Sequence, residues 1–438
     1  MKDPKKKHAT AIVTTLRAHG FQAYFAGGCV RDMVMKKAVG DYDIATDARP
    51  RQIQRLFKKT VRVGATFGTV LVVMDGTPYE VTTFRGAARS GFSKNPRTDA
   101  LNRDFTVGGL LYDPLRKKII DHTGGIAGIK RKEIRSIGTP ERCFSQDALR
   151  LLRAVRLSSR LGFGIERETL AVIKKMSGAI RTVSAERARG ELVSILTGKD
   201  PYRGMQLLDE TGLLKELLPE IEAEKGVEQP PRFHPEGDVF VHTMLLIKRL
   251  KNADLILALS CLLHDVGKPP TFEKKDRIRF NGHDVVGARM TEEIMRRLRF
   301  SNEEIRKVTY CVGNHMRVMN AKKMREATLA RIFLKDTFET ELKLHKYDCL
   351  ASHNSLDIYR FLRRKYLAFM RRPIKPKPAL NGHELMGMGF NQGPAIGRVQ
   401  RELVDLQLEG KIKTKEEAKR WVDKQWTQQK RSGSSSAR

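Results

Sequence analysis

Cysteine is scarce and scattered. The 438 residues hold five, Cys29, Cys143, Cys261, Cys311 and Cys349, with no Cys-x-x-Cys pair among them. That excludes a disulfide-stapled fold and a thiolate zinc site, and makes a reducing, cytoplasmic setting the expectation. Long apolar runs are missing as well. The basic start, Met1-Lys2-Asp3-Pro4-Lys5-Lys6-Lys7, leads into an apolar run at 9–13 that is too short for a signal sequence, and no later run reaches bilayer length. No membrane role follows, and no protein partner is deducible. No segment repeats, which excludes a solenoid. Negative charge is the third shortage: 50 Asp and Glu face 83 Lys and Arg, a formal net charge of +33. So one-sided a surplus implies a polyanionic partner, most simply nucleic acid.

What the chain does have is a change of period. A helical pattern covers 8–19. Short runs at 23–26, 42–45, 69–74 and 79–84, rich in β-branched and aromatic residues, read as strands. Asp75-Gly76 reads as a hairpin turn, and 50–57 as a helix. From about Pro140 the spacing becomes helical: Leu149, Leu152, Val155 and Leu157, then Leu192, Leu196, Leu207 and Leu208. Proline-marked breaks at 228–232 and 373–378 suggest boundaries, and 431–436 reads as disordered. The expected class is α+β: a mixed head over 1–130, then helical segments over 131–227, 228–372 and 373–438.

The head concentrates the chemistry. In Ala26-Gly27-Gly28-Cys29-Val30-Arg31-Asp32, a two-glycine turn lets backbone N–H groups approach a phosphate. Asp41 and Asp43, at i and i+2 on extended chain, face one side. There they can hold divalent cations that clamp a triphosphate and activate a hydroxyl. Glu80, within Tyr79-Glu80-Val81-Thr82, is the candidate third carboxylate; an outward polar residue on an alternating strand is the plain alternative. Arg103 is expected to hold a phosphate or the sugar, with Asp104 orienting it or the ribose hydroxyls. Asp121-His122-Thr123-Gly124-Gly125 is a second glycine turn. Asp147 and Arg150 are expected at i and i+3 of one helix, an acceptor beside a donor. Such a pair complements the pairing edges of cytosine and adenine, and opposes those of uracil and guanine. It can therefore select C and A without a template. The alternative is an ordinary surface ion pair.

An ordered series of motifs now stands out: Gly27-Gly28…Arg31-Asp32, Gly40-Asp41-Tyr42-Asp43-Ile44-Ala45-Thr46, Gly64…Phe67-Gly68-Thr69, Tyr79-Glu80-Val81-Thr82-Thr83-Phe84, Arg103-Asp104-Phe105-Thr106, Asp121…Gly124-Gly125 and Asp147-Ala148-Leu149-Arg150…Arg153. Over residues 20 to about 200 it resembles the class II tRNA nucleotidyltransferases and the related bacterial poly(A) polymerases. The resemblance implies a polymerase-β-like head, a helical neck that selects the nucleotide, and Mg²⁺-dependent addition of C and A, from CTP and ATP, to a tRNA 3′ end. It implies metal binding by Asp41 and Asp43 and base reading by Asp147 and Arg150. Gly27, Gly28, Arg31, Arg103, Asp104 and Arg153 would complete the nucleotide site. Three features depart from the family. Gln146 stands where a Glu is usual, and Asn102 where an Arg is usual. The stretch 85–101 is shorter than the flexible segment of full CCA-adding members, and relatives with that segment shortened add only CC. The expected product is therefore CC or CCA, with harmless loop variation as the plain reading. A poly(A) polymerase is the nearest rival, although Gly64-Ala65-Thr66-Phe67-Gly68-Thr69 looks more like the tRNA enzymes.

Downstream, His242, His264-Asp265, His283, His315 and Asp348 form a second constellation. Imidazole and carboxylate ligands suit Mn, Fe, Ni or Mg. From about 235 to 350 the array resembles HD-superfamily phosphohydrolase domains. That resemblance implies His242, His264, Asp265 and Asp348 as ligands of a divalent transition metal or Mg²⁺, with His283 and His315 binding phosphate or a further metal. An HD phosphohydrolase with an RNA-binding head is the rival from another class. Further on, Arg360, Arg363, Arg364, Lys365, Arg371, Arg372, Lys375 and Lys377 interleave with Tyr359, Phe361, Tyr366 and Phe369. The charges suit RNA phosphates. The rings read as the core side of an amphipathic helix, with base stacking as the alternative. The stretch 378–421 resembles the C-terminal segment of HD-bearing family members.

Overall fold

The computed structural model describes residues 3–63, 68–86, 91–231, 234–371 and 377–433. They divide into two compact units. One runs up to Ala223 and adds Leu250–Leu255 and Ile294–Phe300; the other takes Glu224–Arg249, Ile256–Glu293 and the chain from Ser301 onward.

The first unit opens with α1 (Pro4–Ala18), whose Asp3 cap accepts the Lys6 N–H. Its fully buried residues, Ala9, Ile12, Val13 and Leu16, recur at three- and four-residue steps, which lays one apolar stripe inward. A seven-stranded sheet follows: β1 (Ala23–Ala26), β2 (Ile44–Thr46), β3 (Thr60–Val63), β4 (Thr69–Met74), β5 (Thr77–Thr83), β6 (Leu110–Asp113) and β7 (Lys118–Asp121). The spatial order is β3-β4-β5-β2-β1-β6-β7. Within this sheet, among the described residues, β2 and β5 pair in parallel and the other neighbours are antiparallel. Asp75 and Gly76 close the β4–β5 hairpin with φ of 46° and 77°, both positive as a two-residue primed turn requires. The stretch 85–101 is not loop throughout. Asn95 caps α3 (Pro96–Leu101) by accepting the Arg97 N–H at 2.8 Å. Residues 87–90 of that stretch, and Gly64 and Phe67 of the motif series, lie outside the described residues. The neck is mostly helical, with α4 (Pro140–Gln146), α5 (Leu149–Leu161) and α6 (Ala185–Leu196) among its helices, but not wholly so as expected: Glu133–Ile134 and Gly164–Ile165 pair as a short parallel ladder. Leu149, Leu152, Val155 and Leu157 are buried along α5 as their spacing foretells.

The second unit is helical apart from the short β8 (Glu273–Lys274) and β9 (Ile278–Arg279) hairpin. Its site-bearing helices are α7 (Val239–Arg249), α8 (Leu255–Leu263), α9 (His283–Arg297), α10 (Asn302–Asn314) and α11 (Phe338–Ala351). On α12 (Asp357–Met370), Tyr359, Phe361, Tyr366 and Phe369 pack against a core that includes Phe333 and Phe338. The rings thus take the core side of the amphipathic helix, although only partly buried, and Tyr359 lines a surface groove together with Arg360, Arg363, Arg364 and Arg371. Arg372 and Lys375 lie outside the described residues. A terminal core of Leu380, Leu385, Phe390, Leu403 and Val422 follows. The last helix, α13, runs Lys415–Gly433, so 431–433 are helical rather than disordered as expected; 434–438 lie outside the described residues. Among the described residues no helix is long and apolar enough to cross a membrane. All five cysteines are free and buried.

Candidate active sites

β1 ends at Ala26 and the chain turns at Gly27, with φ 74° and ψ −129°, a conformation that side chains avoid. A Cβ here would also lie 2.9 Å from Arg103 Nη1. The missing side chain thus lets a guanidinium rest against the turn. Gly28 opens α2 (Gly28–Val34), with the buried Arg31 beside it; Arg31 Nε and Nη2 both donate to Asp32 Oδ1, at 2.9 and 2.8 Å.

Asp41 and Asp43 flank the buried Tyr42 just before β2, not within it, and alternation turns both carboxylates to one open face. The parallel register pairs Ile44 with Val81, so one step back Asp43 lies beside Glu80. Glu80 is exposed between the buried Tyr79 and Val81. Burial, then the Glu80 and Asp41 charges, push Asp43 up to about 6, against the pull of Arg103 and Arg85. An ammonium is already drawn to the cluster: Lys5 Nζ lies 3.2 Å from Asp41 Oδ1. An all-oxygen carboxylate set of this kind fits Mg²⁺.

Arg103 is not oriented by Asp104. Its Nε and Nη2 donate to the buried Asp99 Oδ2 at 3.0 and 2.8 Å, four residues earlier on α3. Asp104 pairs instead with Arg153 Nη2 of the neck at 2.8 Å. The two neighbouring side chains project in different directions and so take different partners. Burial opposes the Asp104 charge, but Arg153 and the Phe105 N–H hold its carboxyl below the usual range. The second glycine turn keeps its amides for itself: Asp121 accepts the N–H groups of Thr123, Gly124, Gly125 and Ile126.

Asp147 and Arg150 do not lie on one continuous helix as expected, although Asp147 stands at the start of the helix that carries Arg150 and feels its charge. α4 ends at Gln146, and Asp147 is extended (φ −157°, ψ 104°) before α5 starts at Leu149. The break swings Asp147 off the helix surface. Its Oδ2 lies 2.7 Å from Arg187 Nη2 on α6, and its Oδ1 accepts the Leu149 N–H at 3.2 Å. Arg150 Nη1 donates to Cys143 O and Gln146 Oε1, both at 3.1 Å, and Nη2 donates to Asn102 O at 3.2 Å. Acceptor and donor are each fixed, but by separate partners. Two of the three departures from the resembled pattern touch Arg150, Gln146 through its side chain and Asn102 through its backbone carbonyl.

In the second unit the six predicted residues converge. His264, on the turn after α8, puts Nε2 3.1 Å from Asp265 Oδ2 and 3.3 Å from His242 Nε2. His242 Nε2 is 3.2 Å from Asp348 Oδ1. On the other side, His283 and His315 bring their Nε2 atoms to 3.2 Å from each other, and to 3.8 and 3.9 Å from Asp265 Oδ1. Two donor groups share Asp265: His242, His264 and Asp265, and Asp265, His283 and His315, each with its ligand atoms within 4.8 Å of one another. Buried imidazoles and carboxylates in this arrangement fit a divalent ion. Burial presses His315 down to about 4, which keeps its lone pair free near neutrality. Burial also opposes a charge on His242, yet Asp348 and Glu236 outweigh it and raise that group to about 9. Lys268 Nζ sits 2.7 Å from Asp265 Oδ2, 2.5 Å from Gln229 Oε1 and 5.4 Å over the Phe280 ring.

Sequence reasoning missed Asp99, Arg187, Glu236 and Lys268. A signal existed for two of them: Asp99 stands four residues from Arg103, and Lys268 three from Asp265. Arg187 reaches Asp147 across 40 residues and carries no local signature, while Glu236 acts locally, two residues from His234 and six from His242, in a stretch that has no regular period.

Comparison with known proteins follows the same division. Residues 23–135 match the family model "Poly A polymerase head domain", 162–225 match "Probable RNA and SrmB-binding site of polymerase A", and 238–340 match "HD domain". The CCA-adding enzyme of Bacillus pumilus is 42% identical over 219 residues, which is 48% of this chain and 54% of that protein. That of Geobacillus kaustophilus is 40% identical over 223 residues, 49% of this chain and 55% of that protein. The match thus spans about half the length of these curated relatives. Among solved structures, the Bacillus stearothermophilus CCA-adding enzyme in complex with CTP superposes with a TM-score of 0.78 at 26% identity, covering 98% of this chain and 100% of that one. The Thermotoga maritima CCA-adding enzyme complexed with tRNA gives 0.63 at 18% identity, over 97% and 96%, a likeness of fold alone.

Proposed function

We propose, for a chain that carries the polymerase-type head, RNA-binding neck and HD domain of the tRNA nucleotidyltransferase and poly(A) polymerase family, template-independent addition of CC or CCA to tRNA 3′ ends from CTP and ATP. The observation that carries this reading is the open face of Asp41, Asp43 and Glu80 beside the Gly27-Gly28 turn. Asp41 and Asp43, with Glu80 third, would hold Mg²⁺. When bound, that ion supplies charge neutralisation at the triphosphate and acidifies the attacking hydroxyl. The chain's own residues do the positioning. Gly27 and Gly28 leave room for phosphates against α2, and Arg31 and Arg103 supply the cations beside that turn. Asp104 and Arg153 tie the 103–106 segment to the neck. Asp147 accepts from the amino group of C or A, and Arg150 donates to the ring nitrogen. The RNA O3′ forms its bond to the α-phosphorus as the bond to the bridging oxygen breaks, and pyrophosphate leaves. We assign the head to 1–130, the neck to 131–227, the HD domain to 228–372 and an RNA-binding tail to 373–438. The setting proposed is cytoplasmic, in keeping with five free cysteines.

The convergence at Asp265 supports a second activity, metal-dependent phosphohydrolysis by the HD domain. His242, His264, Asp265 and Asp348 would ligate one ion, and Asp265, His283 and His315 a further ion or a phosphate. The proposed metal is a divalent transition ion or Mg²⁺.

The test is extension, at single-nucleotide resolution, of one tRNA transcript lacking CCA and one ending in CC, with CTP, ATP or both. Two added C residues, with or without a final A, support the proposal and separate the two products. A long A ladder on tRNA and non-tRNA controls alike moves the assignment to poly(A) polymerase.

A further inference from the structure

His242 differs from the other three site histidines at one atom. His264, His283 and His315 each direct Nδ1 to a backbone carbonyl three residues earlier: Cys261 at 3.1 Å, Phe280 at 2.8 Å and Val312 at 2.6 Å. His242 directs Nδ1 to a carboxylate, Glu236 Oε1, at 2.7 Å. The same oxygen accepts from His234 Nδ1 at 2.9 Å. His242 and Glu236 side chains are 0% and 5% exposed, so little water competes for these bonds. The His234 side chain is 20% exposed and closes the outer edge of the triplet.

A carboxylate behind a ligating imidazole fixes its tautomer and direction, and makes its far nitrogen a stronger donor than a carbonyl does. That far nitrogen, His242 Nε2, faces His264 Nε2 and Asp348 Oδ1. The half-site on this side of Asp265 therefore differs from the half-site of His283 and His315, whose imidazoles have only carbonyls behind them. The triplet of His234, Glu236 and His242 is not itself a third ion site. A single oxygen takes both Nδ1–H groups, and His242 must keep that proton to offer Nε2.

We propose that Glu236, steadied by His234, is a positioning residue for metal capture: it delivers His242 Nε2 to one half-site and gives that half-site the tighter hold on its ion. The inference rests on the reading of the HD constellation as a metal centre. The experiment takes the full-length chain with Asp41→Ala and Asp43→Ala as parent, so that the head offers no competing carboxylate site, strips it with a chelator and titrates it with Mn²⁺, by calorimetry and by electron paramagnetic resonance of the free ion. This parent is expected to bind in two classes. Glu236→Gln should weaken the tighter class by roughly 10–100-fold and leave the weaker class unchanged. Glu236→Asp should recover part of the loss, and His234→Ala should cost less than Glu236→Gln. Circular dichroism melting of the metal-free variants checks that they fold; should Glu236→Gln not fold, His234→Ala carries the same comparison. Unaltered binding by Glu236→Gln overturns the proposal. So does equal weakening of both classes, and so does loss of one whole ion with the rest unchanged, which would make Glu236 a ligand. A parent that takes up no Mn²⁺ overturns the metal-centre reading itself, and this proposal with it.

Discussion

Asp43 is the residue at which charge and function meet. Its folded value of about 6 stands above an ordinary 3.8. A carboxyl raised in this way keeps its proton longer folded than unfolded, so its contribution to stability falls as pH rises from about 4 to about 6. A cation competes for the same oxygens as that proton. The apparent Mg²⁺ affinity of CTP transfer should therefore climb as pH passes through about 6 and then level, as Mg²⁺ titrations of the initial rate on either side of that value will register. Gly27 is the second such residue. Gly27→Ala meets both a disfavoured backbone region and Arg103 Nη1 at 2.9 Å. Strain on the order of 1–3 kcal/mol, where it falls on the transition state, corresponds to about a 5- to 150-fold loss in kcat/KM for CTP. Arg187 is the third. It alone pairs with the Asp147 carboxylate among the side-chain contacts described above. Arg187→Ala should lower discrimination more than rate, with the CTP-to-UTP ratio of kcat/KM falling about tenfold.

At the scale of the element, legibility followed local grammar. The β4–β5 hairpin declared itself through alternating β-branched residues and Asp75-Gly76, a pair suited to positive φ. α5 declared itself through its leucines. β3, β6 and β7 were missed, although each has four residues like the β1 that was read. α3 was missed although Asn95-Pro96 is a sound helix start, a polar cap followed by a residue that needs no N–H partner. The break between α4 and α5 was missed for another reason. Ser145-Gln146-Asp147-Ala148-Leu149-Arg150 contains neither Gly nor Pro, and the interruption is held by the distant Arg187. The candidate site was legible residue by residue, while its pairings depended on contacts from remote parts of the chain. α12 divides in a similar way: its rings pack against a core, and its arginines face a groove that Tyr359 shares. Replacing Arg363 and Arg364 with Glu should leave thermal melting nearly unchanged, weaken tRNA binding, and flatten its salt dependence by roughly one to two ionic contacts in a filter-binding titration.

At the scale of the molecule, the chain joins two side-chain chemistries. The first unit holds an all-carboxylate face, and the second holds histidines around one aspartate. A net charge of +33 would suit the polyanionic substrate proposed for the first. The central claim is that nucleotide transfer belongs to the first unit. The most direct measurement is CTP incorporation into a tRNA lacking CCA by three forms of the full chain: wild type, Asp41→Ala with Asp43→Ala, and His264→Ala with Asp265→Ala. The account predicts transfer by the wild type and by the HD variant, and a loss of at least about 10²–10³-fold in the head variant. Transfer that survives loss of Asp41 and Asp43, or that disappears with His264 and Asp265 alone in a folded chain, would contradict it.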